Sequence, residues 1–251
     1  MSKLSKNYLC YTFSIMLVCW GICVICSLNG IAVDDHYVLF IPYLLGGWSP
    51  TVASFLALKK NDGIKGIKDW LKHIFDLKHS VFSYIMVAIL GIVFILPQCV
   101  VSGYEKGAPI FAIIVMIPMM LFGGGLEEAG WRYILQPELE KEHSYTVATI
   151  MVSVIWWLWH LPLFYIQGVG QYGHNYLAFG INVLGLGFAL AGIRKITGSV
   201  WLCVLFHCIV NSLSGIYVVN DNIWGNIVTT VILILCSYAL VTINGRKKIF
   251  S

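Results

Sequence analysis

Charge is what this sequence has least of. Only 11% of its residues are Asp, Glu, Lys or Arg, against 59% hydrophobic, where an ordinary soluble domain is about 25% charged. No polar stretch is long enough to build a second, soluble core; the longest runs from about residue 59 to 80. Those two shortages exclude a soluble globular protein and leave a single integral membrane domain over 1–251. Internal repeats are missing too, and transporters often show them. There is no HExxH helix, no serine elbow and no Walker sequence, and Gly123-Gly124-Gly125 lacks the Lys-Ser/Thr of a phosphate loop. Cysteine is not scarce, but the eight thiols lie in or beside apolar stretches. A buried thiol there behaves as a small hydrophobe, so no disulfide framework is inferred, and Cys23-x-x-Cys26 reads as packing.

What is present is long apolar runs. A spanning helix needs about 20 mostly apolar residues. The sequence predicts eight, at 8–29, 37–58, 81–101, 109–126, 145–166, 176–193, 199–218 and 223–243. The first is too long for a signal core of about 7 to 15 residues, and no A-x-A site follows it. The fourth is expected to continue as a helix to about Gln136, before Pro137. With eight spans, every lysine-rich segment falls on one side: Lys3 and Lys6, the 59–80 connection, Arg194 with Lys195, and Arg246 to Lys248. The positive-inside rule makes that side cytoplasmic and places both termini there. The segment 61–76 has Ile64, Ile67, Trp70, Leu71 and Ile74 at helical spacing, which predicts a cytoplasmic helix in the membrane interface. The expected fold is thus an all-α, polytopic transmembrane bundle. The net charge of +4 is explained by these connections and gives no reason to expect a nucleic-acid partner.

Within the apolar body stand a few residues that are costly to put there. They are Glu127, Glu128 and Arg132 near the end of the fourth run, His160 in the fifth, and His207 with Asn211 in the seventh. An ionisable group in a membrane is a functional-site hypothesis by default. Glu128 and Arg132 are i, i+4 and can pair on one helix face. Glu127 is turned about 100° away and stays available. His207 and Asn211 also share a face. Counted from their cytoplasmic ends at 1.5 Å per residue, His160, His207 and Glu127 lie roughly 24, 13 and 15 Å up. That predicts one cavity, reached more easily from the cytoplasm. A glutamate in a partly dry cavity is a competent general base, and Glu with two His is also a ligand set of catalytic zinc sites. Either arrangement activates water for hydrolysis. The three glycines either let a backbone approach closely or pack helices.

The sequence EEAGWRYILQPEL resembles the EExxxR motif of the CPBP intramembrane proteases, the CAAX-protease and bacteriocin-processing (Abi) family. WWLWHLPLFYIQG resembles their aromatic-xxx-His motif, with Trp156 where phenylalanine is common. GSVWLCVLFHCIVNSLSG resembles their HxxxN motif. The resemblance implies a catalytic core over about 109–218. It implies that Glu127 activates the attacking water with help from His160, and that His207 and Asn211 stabilise the oxyanion. Glu128 and Arg132 would hold the helix and orient Glu127. Family members are called metalloproteases, so Glu127, His160 and His207 would be the ligands of a divalent metal such as zinc if one is bound. The large aromatics of this region, Trp131, Trp156, Trp157 and Trp159, read as packing and interface residues.

The function expected from this is an intramembrane endopeptidase of the cell membrane. It would hydrolyse a peptide bond of a membrane-associated protein or peptide precursor. The short, compact chain looks like a bacterial member, where peptide maturation or immunity is expected over CAAX processing. The competing reading is a non-catalytic immunity or scaffold protein that binds a peptide with the same fold; a complete Glu-His-His-Asn set argues against it.

Overall fold

The structure is a computed structural model that describes residues 1–247; Lys248, part of the charge pattern above, lies outside the described residues, as do the side chains of Arg246 and Lys247. Ten helices form among the described residues: α1 (Lys3–Leu28), α2 (Phe40–Gly47), α3 (Ser49–Lys60), α4 (Ile67–Ile74), α5 (Val81–Ser102), α6 (Ile110–Leu139, interrupted), α7 (Tyr145–Trp159), α8 (Tyr176–Thr197), α9 (Val200–Ile216) and α10 (Ile223–Lys247). Several start where a polar connection meets an apolar run, on a side chain that accepts an orphan backbone N–H. Ser2, Ser80, Ser144 and Ser199 cap α1, α5, α7 and α9, and Asn175 caps α8.

All eight expected apolar segments are helical, but the fourth is interrupted within α6, and the second and seventh also differ from simple spans. Among the described residues six helices are long and apolar enough to cross a membrane. The second segment is a pair, α2 and α3, bent by 48°. The break falls at Trp48, just before Pro50 in the first turn of α3, where a proline lacks the N–H that would continue a helix. The seventh, α9, is apolar but has 17 residues. It lies largely inside the bundle, with Leu202, Cys203, Val204, Phe206 and Cys208 fully buried. The expected interfacial helix is the short α4. It turns Trp70 and Ile74 onto the protein, with Trp70 Nε1 donating to Ser54 Oγ at 3.0 Å, while Ile67 and Leu71 remain exposed.

The connections gather at two ends. At one end the amino-terminal ammonium pairs with Glu142 at 2.8 Å, which holds that carboxyl below its usual range. Lys195 pairs with Glu140 at 2.6 Å at the same end, and His73 of α4 lies over Tyr133. At the other end β1 (Tyr104–Lys106) pairs antiparallel with β2 (Tyr217–Val219). There the Val33 N–H donates to the Gln167 carbonyl at 3.0 Å, and His174 faces Asp221 at 3.7 Å.

Helix α8 packs against α7 and α10 through glycines. A Cβ on Gly185 would sit 2.8 Å from Thr230 Cα, and one on Gly187 would collide with Ser153 Oγ. Small residues let helices approach closely where lipid offers no hydrophobic drive between them. Gly185→Val should therefore cost about 1–3 kcal/mol, the usual range for overpacking. It should lower the thermal unfolding midpoint of the protein in detergent; an unchanged midpoint would mean that α8 and α10 can part freely.

Candidate active site

Helix α6 is not the continuous helix expected. It breaks at Leu121–Gly124, re-forms from Gly125, and widens to π geometry over Trp131–Leu135 before closing at Leu139. π-Turns of this kind are frequent at functional sites. Gly124 has φ +142°, a conformation only glycine adopts readily. The break ends just before Glu127 and Glu128, so both acids enter from the first turn of a new helix.

The two carboxylates then part. Glu128 is fully buried. Its Oε1 lies 2.9 Å from His207 Nδ1 on α9, and its Oε2 faces Arg132 Nη1 at 3.4 Å. The contact with Arg132 is a Coulombic pair without hydrogen-bond geometry. Arg132 is also fully buried, lies 5.1 Å over the Trp156 ring and reaches the Gly187 carbonyl at 3.5 Å.

Glu127 turns the other way. Its Oε2 accepts from Trp156 Nε1 at 2.9 Å and from Trp131 Nε1 at 3.4 Å. Its Oε1 has no such partner and borders a cavity of about 190 Å³. His160 caps the end of α7 with Nδ1 2.8 Å from the Trp156 carbonyl. A carbonyl only accepts, so Nδ1 carries the proton and Nε2 is left with a lone pair. His207 has Nδ1 committed to Glu128, which leaves its Nε2 on the cavity side. Asn211 donates to the Gly123 carbonyl at 3.2 Å and keeps a second N–H to give.

These groups converge. A methyl built on Gly124 would lie 2.7 Å from Asn211 Nδ2, 3.1 Å from His207 Nε2 and 3.6 Å from Glu127 Oε1. Three polar atoms thus point at one spot beside the broken helix, with His160 across the same cavity. All six residues singled out in the sequence come together here, four on the cavity and Glu128 with Arg132 behind it. Glu127, His160 and His207 are each only 7% exposed.

The donor atoms are of the kinds that bind zinc. Among the described residues, however, no three His, Cys, Asp or Glu side chains are gathered closely enough to hold a metal ion. The donor set fits a metal by chemistry and not by spacing.

Two further residues hold the site. Trp131 and Trp156, read from the sequence as packing, are the hydrogen-bond donors to Glu127. The signal was there: a buried indole N–H needs an acceptor, and Trp131 is i+4 from Glu127. The cavity also lies differently from expectation. It is lined by Tyr43 and Gly47 before the bend, by Asn182 near the start of α8, and by Gln171 in the 167–175 connection. All of these lie toward the end of the bundle that carries β1 and β2. The depth count assumed straight helices, whereas α7 ends at Trp159 and puts His160 at its tip.

Comparison with known proteins bears on these residues. A family model described as Type II CAAX prenyl endopeptidase Rce1-like matches residues 109–213, the stretch that holds all three motifs. The chain is also similar to CAAX prenyl protease 2 of Methanococcus maripaludis, at 22% identity over 98% of this chain and 95% of that protein.

Gly124→Ala tests the local geometry. It places a methyl 2.7 Å from Asn211 Nδ2 at a positive φ, a strain of order 1–3 kcal/mol. The expected outcome is a lower unfolding midpoint in detergent, while Gly170→Ala, where a side chain meets open space, leaves it unchanged. Equal midpoints for the two variants would mean that the turn is not held as described.

Proposed function

The chain carries an Rce1-like domain of the CPBP family at 109–213, and from that premise we propose that it hydrolyses a peptide bond of a membrane-associated polypeptide with a water activated by Glu127. The observation that carries the reading is the convergence of Glu127 Oε1, His207 Nε2 and Asn211 Nδ2 on one point beside Gly124.

The residues divide the reaction between them. Glu127 Oε1 takes a proton from water as the water oxygen attacks the scissile carbonyl carbon. His160 Nε2 accepts a hydrogen bond from the same water and holds it in line. The carbonyl π electrons move onto oxygen. That oxyanion lies within reach of Asn211 Nδ2–H and of His207 Nε2–H, the latter in an imidazolium whose counter-ion is Glu128. Donors aimed at a developing oxyanion are worth about 3–4 kcal/mol each. Glu127 then passes its proton to the leaving nitrogen, the C–N bond breaks, and an acid and an amine leave. The indoles of Trp131 and Trp156 fix Oε2, so that Oε1 is the oxygen presented to water.

The substrate is a membrane-bound polypeptide or peptide precursor. The M. maripaludis relative is called a CAAX prenyl protease, so a prenylated CAAX peptide is one probe and an unmodified apolar precursor peptide the other. The enzyme is a multi-pass membrane protein, and the charge pattern puts both termini in the cytoplasm.

Purified protein in detergent should cleave one of these two probes, and Glu127→Ala and His160→Ala should each abolish cleavage while leaving the unfolding midpoint near wild type. Full activity in either variant would make the polar cluster structural. Cleavage that survives chelation agrees with a water held by side chains; loss on chelation and rescue by zinc would transfer the water to a metal. Trp156→Phe keeps the ring and removes one hydrogen bond to a charged acceptor, a term of about 1.5–3 kcal/mol. It should lower kcat about tenfold or more with little change in KM; an unchanged kcat would show that Trp131 alone suffices to orient Glu127.

A further inference from the structure

The placement of the cavity and the placement of charge are independent observations, and they combine. The cavity lies toward the end of the bundle away from the lysines. Its lining residues Trp20 in the second half of α1, Trp48 just before α3, His160 just after α7 and Asn182 in the first half of α8 all lie on the β1–β2 side of those helices, and Gln171 belongs to a connection at that end. Toward the opposite end the floor is closed. Tyr8, Glu128, Trp131 and Arg132 are fully buried beneath the cavity, and Arg194 Nε donates to the Arg132 carbonyl at 3.1 Å from below.

Charge divides along the same axis. Among the fifteen Lys and Arg residues that are described, only Lys106 lies in a connection at the cavity end, and Arg132 is buried in the bundle; the rest belong to segments at the closed end. The cavity end carries Asp34, Asp35, Glu105 and Asp221 instead. A bias this one-sided, in short connections close to the spans, fixes which end stays in the cytoplasm.

We propose that the catalytic cavity opens on the non-cytoplasmic face of the membrane, and that the enzyme cuts polypeptides presented from that side. This rests on the protease reading for the word substrate, but not for the sidedness. The lining narrows the class further. It has Glu127 as its acid, contains no Lys or Arg, and offers aromatic rings and the amides of Gln171 and Asn182. Asn182 Oδ1 is buried there without a hydrogen-bond partner. An unpaired amide oxygen beside apolar walls suits the N–H of an extended, uncharged peptide segment. The fitting substrate is therefore an exported, membrane-anchored chain whose scissile bond lies in the outer half of the bilayer. A tail that stays in the cytoplasm does not reach this opening.

Cysteine labelling in intact cells tests this directly, with a membrane-impermeant maleimide and the eight native cysteines as background. Gly170→Cys at the cavity end and Asn182→Cys inside the cavity should label before the cells are opened. Lys65→Cys at the closed end should label only after permeabilisation. Two outcomes overturn the proposal. One is the reverse pattern for Gly170→Cys and Lys65→Cys; the other is an Asn182→Cys that reacts only once the membrane is dissolved. Cleavage by detergent-solubilised enzyme does not depend on sidedness. Loss of cleavage with the expected labelling would therefore fall on the protease reading alone, and reversed labelling with intact cleavage on this inference alone.

Discussion

The buried pair of Glu128 and Arg132 is the constraint on which the site depends. Each charge inside a membrane costs a few kcal/mol at least, and neither residue has any exposed surface. They offset each other within one helix, but not by ideal hydrogen bonds, since they face one another at 3.4 Å. The remaining demand is met by neighbouring helices. Glu128 takes His207 Nδ1 from α9. Arg132 lies over the Trp156 ring of α7 and reaches the Gly187 carbonyl of α8. A side chain at Gly187 would collide with Ser153 and approach Arg132 Nη2 to 3.7 Å, so the glycine is what lets the guanidinium and the two helices meet. One ion pair thus ties together the helices that supply Glu127, His160 and His207. Removing either partner would leave an uncompensated buried charge, which typically costs 3–5 kcal/mol.

That anchor explains why two adjacent glutamates can differ in role. Neighbours on a helix point about 100° apart, so fixing Glu128 against α9 aims Glu127 elsewhere. Two indole N–H groups then bind one of its oxygens and leave the other toward the cavity. The Gly124 turn removes the side chain that would otherwise occupy the convergence point. Of the two readings of the glycine run, both hold at different residues. Gly124 keeps the site open, while Gly125 allows close packing, since a Cβ there would press on Cys208 and on the backbone of Val204.

Much of this was legible because apolar runs and isolated charges are strong signals. A polar residue in a membrane needs a reason, and all six that needed one meet at a single site. What could not be read was orientation beyond one helix. An i, i+4 spacing says that Glu128 and Arg132 share a face, but not that His207 would complete the set. The donors Trp131 and Trp156 look like packing until their N–H groups are assigned acceptors, which only tertiary structure supplies. The bend at Trp48 and the 17-residue α9 were hidden because hydropathy reports length and not shape. The depth of the cavity along the bundle could not be read because a depth count presumes uninterrupted helices, and α6 is broken at the point of interest.

The break in α6 and the ion pair below it also solve a problem that any hydrolase in a membrane meets. Water must reach the scissile bond, yet a polar channel through the bilayer would leak ions and protons. Polar groups follow one another along α6, from Gln136 through Arg132 and Glu128 to Glu127, with His207 of α9 against Glu128. The cavity stops at the last of these. Below it, Trp131 and Tyr8 pack edge to face at 5.6 Å, and both are fully buried. The guanidinium of Arg132 adds a fixed positive charge in the same layer, which opposes the passage of cations. The residues that orient the carboxylate are therefore also the seal beneath it. That double duty accounts for a cluster of charge in the most apolar part of the chain: the groups that line the cavity on one side close the bundle on the other.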